Sequence, residues 1–363
     1  MDKDKILLFT PGPLTTSETV KKSMLEDMPT RDIEYANLVQ SIRRDLLYLS
    51  GSKPEDYATI LIQGSGTYAV EAVIGSIKSI KNAKLLILIN GTYGRRIAEI
   101  AKIVGIKFVK IEFKENKPIN VAHIEKYLRK NKDITHVASV HLETTTGILN
   151  PIEDIGNVTK RYKKYFIVDA MSSFCGVPLD FHACNADFII SSANKCIQGV
   201  PGVAFVIGKI KTLKKHSHSH SLSLNLYEQW RYMEKNNGSF RYTSPTHVMR
   251  ALRKAIDELN EEGGIPLRYK RYRENMDLLI SEMENIGFIS YIKKDHQSPV
   301  IATFILPKSI EFKDLYESLK NEGFVIYPGK LTKIDTFRIG VIGEIYREDI
   351  NNLIDHISKY IKK

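Results

Sequence analysis

The residue most suited to chemistry in this chain is a lysine that stands alone. Lys and Arg total 53 of 363 residues, about one in seven, yet from Tyr165 to Gly208 there is one, Lys195. It sits in Phe188-Ile189-Ile190-Ser191-Ser192-Ala193-Asn194-Lys195-Cys196-Ile197-Gln198-Gly199. An apolar run leads up to it and a Gly-containing loop leaves it. A lysine held among apolar and neutral groups is desolvated, so its pKa falls and the free amine becomes available. A Schiff-base lysine needs that property. The plain alternative is a solvated lysine at a strand end.

Asp169 is the second reactive group. It closes the apolar run Tyr165-Phe166-Ile167-Val168, one crossover and one strand upstream of Lys195. Ligands of α/β sheets bind at the carboxyl ends of strands, where such an aspartate can face them. Pyridoxal phosphate works as an electron sink while its pyridine nitrogen stays protonated, and a carboxylate partner ensures that. Helix capping is the other ordinary use of an aspartate there. Gln63-Gly64-Ser65-Gly66-Thr67 lies between a strand and a helix; its amides and the hydroxyls of Ser65 and Thr67 suit a phosphate. It is neither a Walker A loop nor a dinucleotide-binding glycine pattern. Tyr93 in Asn90-Gly91-Thr92-Tyr93-Gly94 has a face that can stack on a planar ring. The hydroxyls of Glu143-Thr144-Thr145-Thr146 can bond a ring oxygen. Arg338, in Thr336-Phe337-Arg338-Ile339-Gly340, can grip a carboxylate through two parallel hydrogen bonds. A structural ion pair is the alternative use of Arg338.

The elements that must position these groups alternate in type. Apolar runs at 59–62, 84–89, 106–113, 137–140, 165–168, 187–190 and 203–207 read as strands, separated by amphipathic helical spans. That pattern predicts an α/β fold with a mostly parallel sheet covered by helices on both faces. Residues 208–250 read as irregular. A long helical stretch begins near Thr246 and pauses at Gly263-Gly264. Beyond it, strands at 300–305 and 325–327 and helices at 312–321 and 347–360 predict a smaller α+β C-terminal domain. The predicted division is an N-terminal segment 1–17 packing near the site, a large domain 18–259 and a small domain 260–363.

Composition excludes several classes. Hydrophobic residues are 43% and charged residues 26%, as in an ordinary globular protein. The three cysteines, Cys175, Cys184 and Cys196, form no CxxC pair, which argues against a disulfide framework and a structural zinc site. No cysteine follows Cys196, so the nucleophile that a cysteine desulfurase needs in its C-terminal half is missing. The net charge of +11 comes from lysines spread along the whole chain without a recognition motif, so no nucleic-acid partner is expected. The alternation His216/His218/His220 invites a metal, but a short polar loop is the simpler reading and no metal is expected. No apolar run is long enough for a signal or a membrane span, so a cytoplasmic location is expected.

The order of Gly-Ser-Gly-Thr (64–67), Glu-Thr-Thr-Thr-Gly (143–147), Val-Asp-Ala-Met-Ser-Ser (168–173) and Ser-Ser-Ala-Asn-Lys-Cys (191–196) resembles the class V aminotransferases of the fold-type I pyridoxal-phosphate enzymes. Further matching stretches are LLFTPGPLTTSETV (7–20), RYTSPTH (241–247), FVIYPGK (324–330) and FRIGVIGEI (337–345). The resemblance thus spans nearly the whole chain, and its most specific part is Asn-Lys-Cys-Ile-Gln-Gly-Val-Pro-Gly (194–202). It implies that Lys195 bonds the cofactor and moves the proton, and that Asp169 pairs with the pyridine nitrogen. Tyr93 would stack on the ring, Thr145 would lie near its oxygen, and Ser65, Gly66, Thr67 and Ser192 would hold the phosphate. Thr243 would reach the cofactor of a second subunit in a homodimer with shared sites. Arg338 would bind the carboxylate of pyruvate or alanine. The implied activity moves the amine of 2-aminoethylphosphonate to pyruvate; transfer from alanine or serine to glyoxylate is the other reading. One stretch departs from the family pattern: His220 stands where it carries arginine, and Asn225 where it carries aspartate. A phosphonate contact through that arginine would be weakened here.

Overall fold

The structure is a computed structural model that describes residues 6–331 and 334–362. Seven strands form the central sheet: β1 (Tyr57–Gln63), β2 (Lys84–Ile89), β3 (Lys107–Glu112), β4 (His136–Val140), β5 (Tyr165–Asp169), β6 (Phe188–Ser192) and β7 (Val203–Lys209). Their spatial order is β1-β7-β6-β5-β4-β2-β3. The pairs among β2 to β6 are parallel, and β7 runs antiparallel to both β1 and β6. This is the α/β fold that alternation predicted. The run Leu85–Ile89 is buried at every position, as expected of a strand covered on both faces. The reversal of β7 was not readable, because a fully apolar strand carries no mark of its direction.

The strands alternate with helices α1 (Ile33–Leu49), α2 (Gly66–Ser76), α3 (Thr92–Ile103), α4 (Val121–Lys130) and α5 (Ile152–Arg161). Each presents apolar residues at three- and four-residue spacing; α3 buries Ile97, Ile100 and Ala101. The expectation of an irregular stretch over residues 208–250 is corrected here. That region holds a short helix (Ile210–Lys215) and α6 (Leu226–Lys235). In α6 the polar surface outweighs a narrow stripe of Leu226, Trp230 and Met233, which hides the periodicity.

The helix pair α7 (Thr246–Glu261) and α8 (Gly264–Asn285) is split where the sequence paused. Gly263 lies at φ +101°, a region an L side chain rarely enters, so the break belongs to glycine. Beyond it stand β8 (Ile289–Ser290), β9 (Ile301–Ile305), β10 (Tyr327–Pro328) and β11 (Thr336–Gly340), an antiparallel sheet in the order β8-β9-β11-β10. Helices α9 (Phe312–Asn321) and α10 (Arg347–Ile361) pack on each other and share an apolar core with β9 and β11.

Two apolar cores follow this division. One draws on residues from Val20 to Leu259, the other on Leu7, Phe9 and residues from Met276 to Ile357, and a third, smaller cluster (Leu14, Leu142, Val177, Cys196, Tyr272, Val300, Ile301 and Ile342) joins the two. On this partition we propose 18–259 and 260–363 as the two domains. The N-terminal segment belongs spatially to the second: Leu7 and Leu8 pair in parallel with Phe324 and Val325. Residues 1–5 of that segment lie outside the described residues.

Candidate active site

The carboxyl ends of β1, β5 and β6 face one cavity of about 170 Å³. Asp169 and Ser192 end β5 and β6, and the turn after β1 delivers Ser65, Gly66 and Thr67. Tyr93 and Arg96 enter from the first turns of α3, and Lys195 from the loop after β6. Six of the cofactor-site residues expected from sequence are therefore brought together with Lys195: Ser65, Gly66, Thr67, Tyr93, Asp169 and Ser192.

The Lys195 amine donates to the carbonyls of Pro11 (2.8 Å) and Gly12 (3.0 Å). Burial lowers its pKa, and the neighbouring cations Lys330 and Arg338 push in the same direction, against Tyr93 and Cys196. The N-terminal segment can approach because residue 12 is glycine. Its φ is +101°, and a Cβ there would come within 2.7 Å of Lys195 Cδ. Asp169 is 5% exposed and accepts one hydrogen bond, from the Met171 N–H at 2.9 Å. Burial holds its carboxyl up at about 6, with the Met171 amide pulling the other way. A buried carboxylate without a cationic partner in contact calls for one.

At the opposite side, Ser65 is the N-cap of α2 but makes no side-chain capping bond. The hydroxyls of Ser65, Thr67 and Ser192 make no hydrogen bond among the described residues. A helix start with uncommitted amides and three free hydroxyls is an anion cradle. Lysine, carboxylate and cradle together fit the aldehyde, ring nitrogen and phosphate of pyridoxal phosphate.

Three of the expected site residues, Thr145, Thr243 and Arg338, lie outside this lining. Thr145 does not line the cavity. Its hydroxyl donates to Glu143 (2.6 Å) and accepts from the Thr92 N–H (2.8 Å), so its one donor is used. Glu143 is fully buried and accepts from the Tyr93 and Gly94 amides, so this pair fixes the start of α3 and with it Tyr93. Thr243 is exposed and lies outside the cavity of its own chain. His220 sits in a separate depression with Glu71 and Lys78, and Asn225 caps α6 by accepting from the Glu228 N–H. Asparagine caps as well as aspartate, so that departure leaves the helix start intact. His216 is parted from the other two: it is buried against His136, with their Nε2 atoms 2.8 Å apart.

Arg338 is 2% exposed and lies on β11 beside Tyr327. Its Nε donates to the Pro328 carbonyl (3.0 Å) and its Nη1 to the Thr144 carbonyl (2.9 Å). No carboxylate pairs with it among the described residues, so the structural ion pair is absent there and the guanidinium keeps free donors. Burial lowers its pKa, and Tyr93 raises it. Sequence reading missed Arg96, Lys330 and Asn194. Arg96 lies three residues from Tyr93 on the same helix face, a spacing that was open to view. Lys330 ends the matching stretch FVIYPGK, but that stretch gives no sign of its contact with Tyr93.

The loop that carries Lys195 is clamped from α8. Arg268 is buried, donates to the carbonyls of Cys196 (3.0 Å) and Ile197 (3.2 Å), and pairs with Glu262. Tyr272 donates to Gln198 at 2.6 Å. Arg268→Met is expected to lower the unfolding free energy by about 3 kcal/mol, because it orphans two buried carbonyls and leaves Glu262 with Arg271 alone. Urea unfolding reads this directly, and an unchanged midpoint would remove the clamp from the account.

A lysine in the loop after β6 and a buried aspartate at the end of β5 thus share one cavity with an anion cradle. Residues 18–346 match the family described as Aminotransferase class-V, and the chain belongs to it. The chain is 52% identical over 361 residues, 99% of each chain, to a 2-aminoethylphosphonate–pyruvate transaminase of Bacillus cereus. It is 51% identical over 360 residues to a bifunctional phosphonoacetaldehyde hydrolase/aminoethylphosphonate transaminase of Clostridioides difficile (strain 630), covering 98% of this chain and 56% of that one. Among solved structures, the alanine–glyoxylate aminotransferase of Nostoc sp. superposes with a TM-score of 0.90 at 24% identity, over 99% and 96% of the two chains. At that identity the likeness shows the fold alone. The family implies pyridoxal phosphate.

Proposed function

We propose that this chain is a pyridoxal-phosphate-dependent transaminase that moves the amine of 2-aminoethylphosphonate to pyruvate. The products are phosphonoacetaldehyde and L-alanine. The observation that carries the reading is the placing of Lys195 and Asp169 in one cavity, in a chain whose full-length relatives carry that activity in their names. The glyoxylate reading has behind it only a likeness of fold at 24% identity.

Bound pyridoxal phosphate supplies an aldehyde that takes up the amine and a pyridinium ring that stores an electron pair. The remaining work falls to this chain. Lys195 Nζ, its pKa lowered by burial, takes the proton from the amine-bearing carbon and returns it on the other side of the transfer. Asp169 holds the ring nitrogen protonated through a charge-assisted hydrogen bond. Tyr93, fixed by Glu143 through the start of α3, supports the ring face. The α2 start with Ser65, Gly66, Thr67 and Ser192 holds the phosphate. Arg338 offers its unused donors to the carboxylate of pyruvate and alanine. Both half-reactions use the same groups, so one site serves two substrates in turn. We further propose a cytoplasmic homodimer in which the exposed Thr243 reaches the partner's phosphate cradle; among the described residues no helix is long and apolar enough to cross a membrane.

Adding 2-aminoethylphosphonate to the yellow holoenzyme is expected to bleach the visible band, and pyruvate to restore it with one equivalent of alanine formed. A band that responds to serine or alanine with glyoxylate, and not to 2-aminoethylphosphonate, would overturn the substrate assignment.

A further inference from the structure

Arg338 accounts for one negative charge, while the proposed donor carries more than one. A carboxylate has two oxygens and one charge, which a guanidinium meets through two parallel bonds. A phosphonate presents three oxygens and approaches two charges at neutral pH, as phosphate esters do. It also stands one methylene farther from the amine-bearing carbon than the carboxylate of alanine does. A second cation that the carboxylate does not use would meet the extra charge and oxygen.

The geometry offers one. Lys330 follows β10, on the hairpin whose other strand, β11, carries Arg338; Tyr327 of β10 is the register partner of Arg338. Lys330 Nζ donates to the Tyr93 hydroxyl at 3.1 Å and lies 4.7 Å from the centre of the Tyr93 ring. An ammonium has three donors, so two remain. Lys330 has no carboxylate partner among the described residues. Lys330 and Arg338 both act electrostatically on Lys195, and both meet Tyr93. The two cations therefore converge on Tyr93, which itself lines the cavity.

Resting on the function proposed above, we propose that Lys330 and Arg338 form a phosphonate subsite in which Lys330 is the residue that distinguishes phosphonate from carboxylate. Tyr93 holds the ammonium in place between turnovers, and the incoming phosphonate takes its two free donors. Pyruvate and alanine, bound through Arg338, leave Lys330 on the tyrosine.

The test compares Lys330→Met and Lys330→Arg with the wild-type holoenzyme in each half-reaction, and adds inhibition by ethylphosphonate and propionate, which carry no amine. Lys330→Met is expected to raise KM for 2-aminoethylphosphonate and Ki for ethylphosphonate by about tenfold or more. KM for alanine and Ki for propionate should move less than about threefold, and Lys330→Arg should recover most of the loss. Equal losses with both ligand classes would reduce Lys330 to a support for Tyr93 and overturn the proposal, as would no loss with either. Ethylphosphonate binding separates this from the function itself. Should 2-aminoethylphosphonate prove inert while Lys330→Met still weakens ethylphosphonate selectively, the subsite stands and the donor assignment falls.

Discussion

Lys195→Ala is expected to leave a folded protein whose turnover has dropped by at least about 10³-fold. Two separate losses add up in that figure. The side chain is the covalent attachment point for the cofactor, and it is also the base that moves the proton. The substitution removes no packing that the fold depends on, because the amine's partners are two carbonyls of the N-terminal segment, which water can satisfy. Circular dichroism should therefore match wild type while the visible band is lost or displaced. Borohydride treatment of the wild-type holoenzyme should fix the cofactor on residue 195 and nowhere else. A variant that retained both its spectrum and more than about a tenth of its turnover would end the assignment.

Asp169→Asn should separate stability from catalysis, with opposite signs. In the unliganded chain burial holds this carboxyl at about 6, against 3.8 for an ordinary aspartate. A folded-state value raised above the unfolded one means that below about pH 4 the group is neutral in both states and withdraws nothing. As pH rises from about 4 to 6 the unfolded chain gives up its proton more readily, and stability is lost across that window. Above it the full effect remains, roughly 3 kcal/mol at most. The asparagine variant carries no charge and keeps an oxygen for the Met171 amide, so without cofactor it should be the more stable protein at pH 8. The difference should fade toward pH 4. Turnover should nonetheless fall about 10²- to 10³-fold, since the ring nitrogen loses its anionic partner. Wild type should also gain more melting temperature from pyridoxal phosphate than the variant does. Thermal melts of both proteins at pH 4.5 and 8, with and without cofactor, check every part. A variant less stable than wild type at pH 8 without cofactor would contradict the buried-charge account.

Much of this site was legible because its parts lie at the ends of apolar strands. A lysine without basic neighbours and an aspartate closing the apolar run from Tyr165 to Val168 are features of local sequence, and so is the glycine turn after β1. The strand at 84–89 was read to its observed limits, since six apolar or aliphatic-stemmed residues between polar ends leave little choice. What stayed hidden was long-range. The stretch FVIYPGK matched the family without showing what Lys330 does, because its partner Tyr93 and its fellow cation Arg338 arrive from other elements. The carbonyls of Pro11 and Gly12 are backbone groups and have no compositional signature. Thr145 shows a related limit: hydroxyls in a row look like ligand donors, and the buried Glu143 that occupies one of them is visible only in space.

The short stretch from Leu7 to Gly12 links the two halves of the molecule. At one end it is stitched to Phe324 and Val325 of the C-terminal lobe; at the other its carbonyls grip the reactive nitrogen. Six residues of one covalent run therefore tie the edge of the C-terminal sheet to the acceptors of the reactive amine, through a bend that Gly12 makes possible.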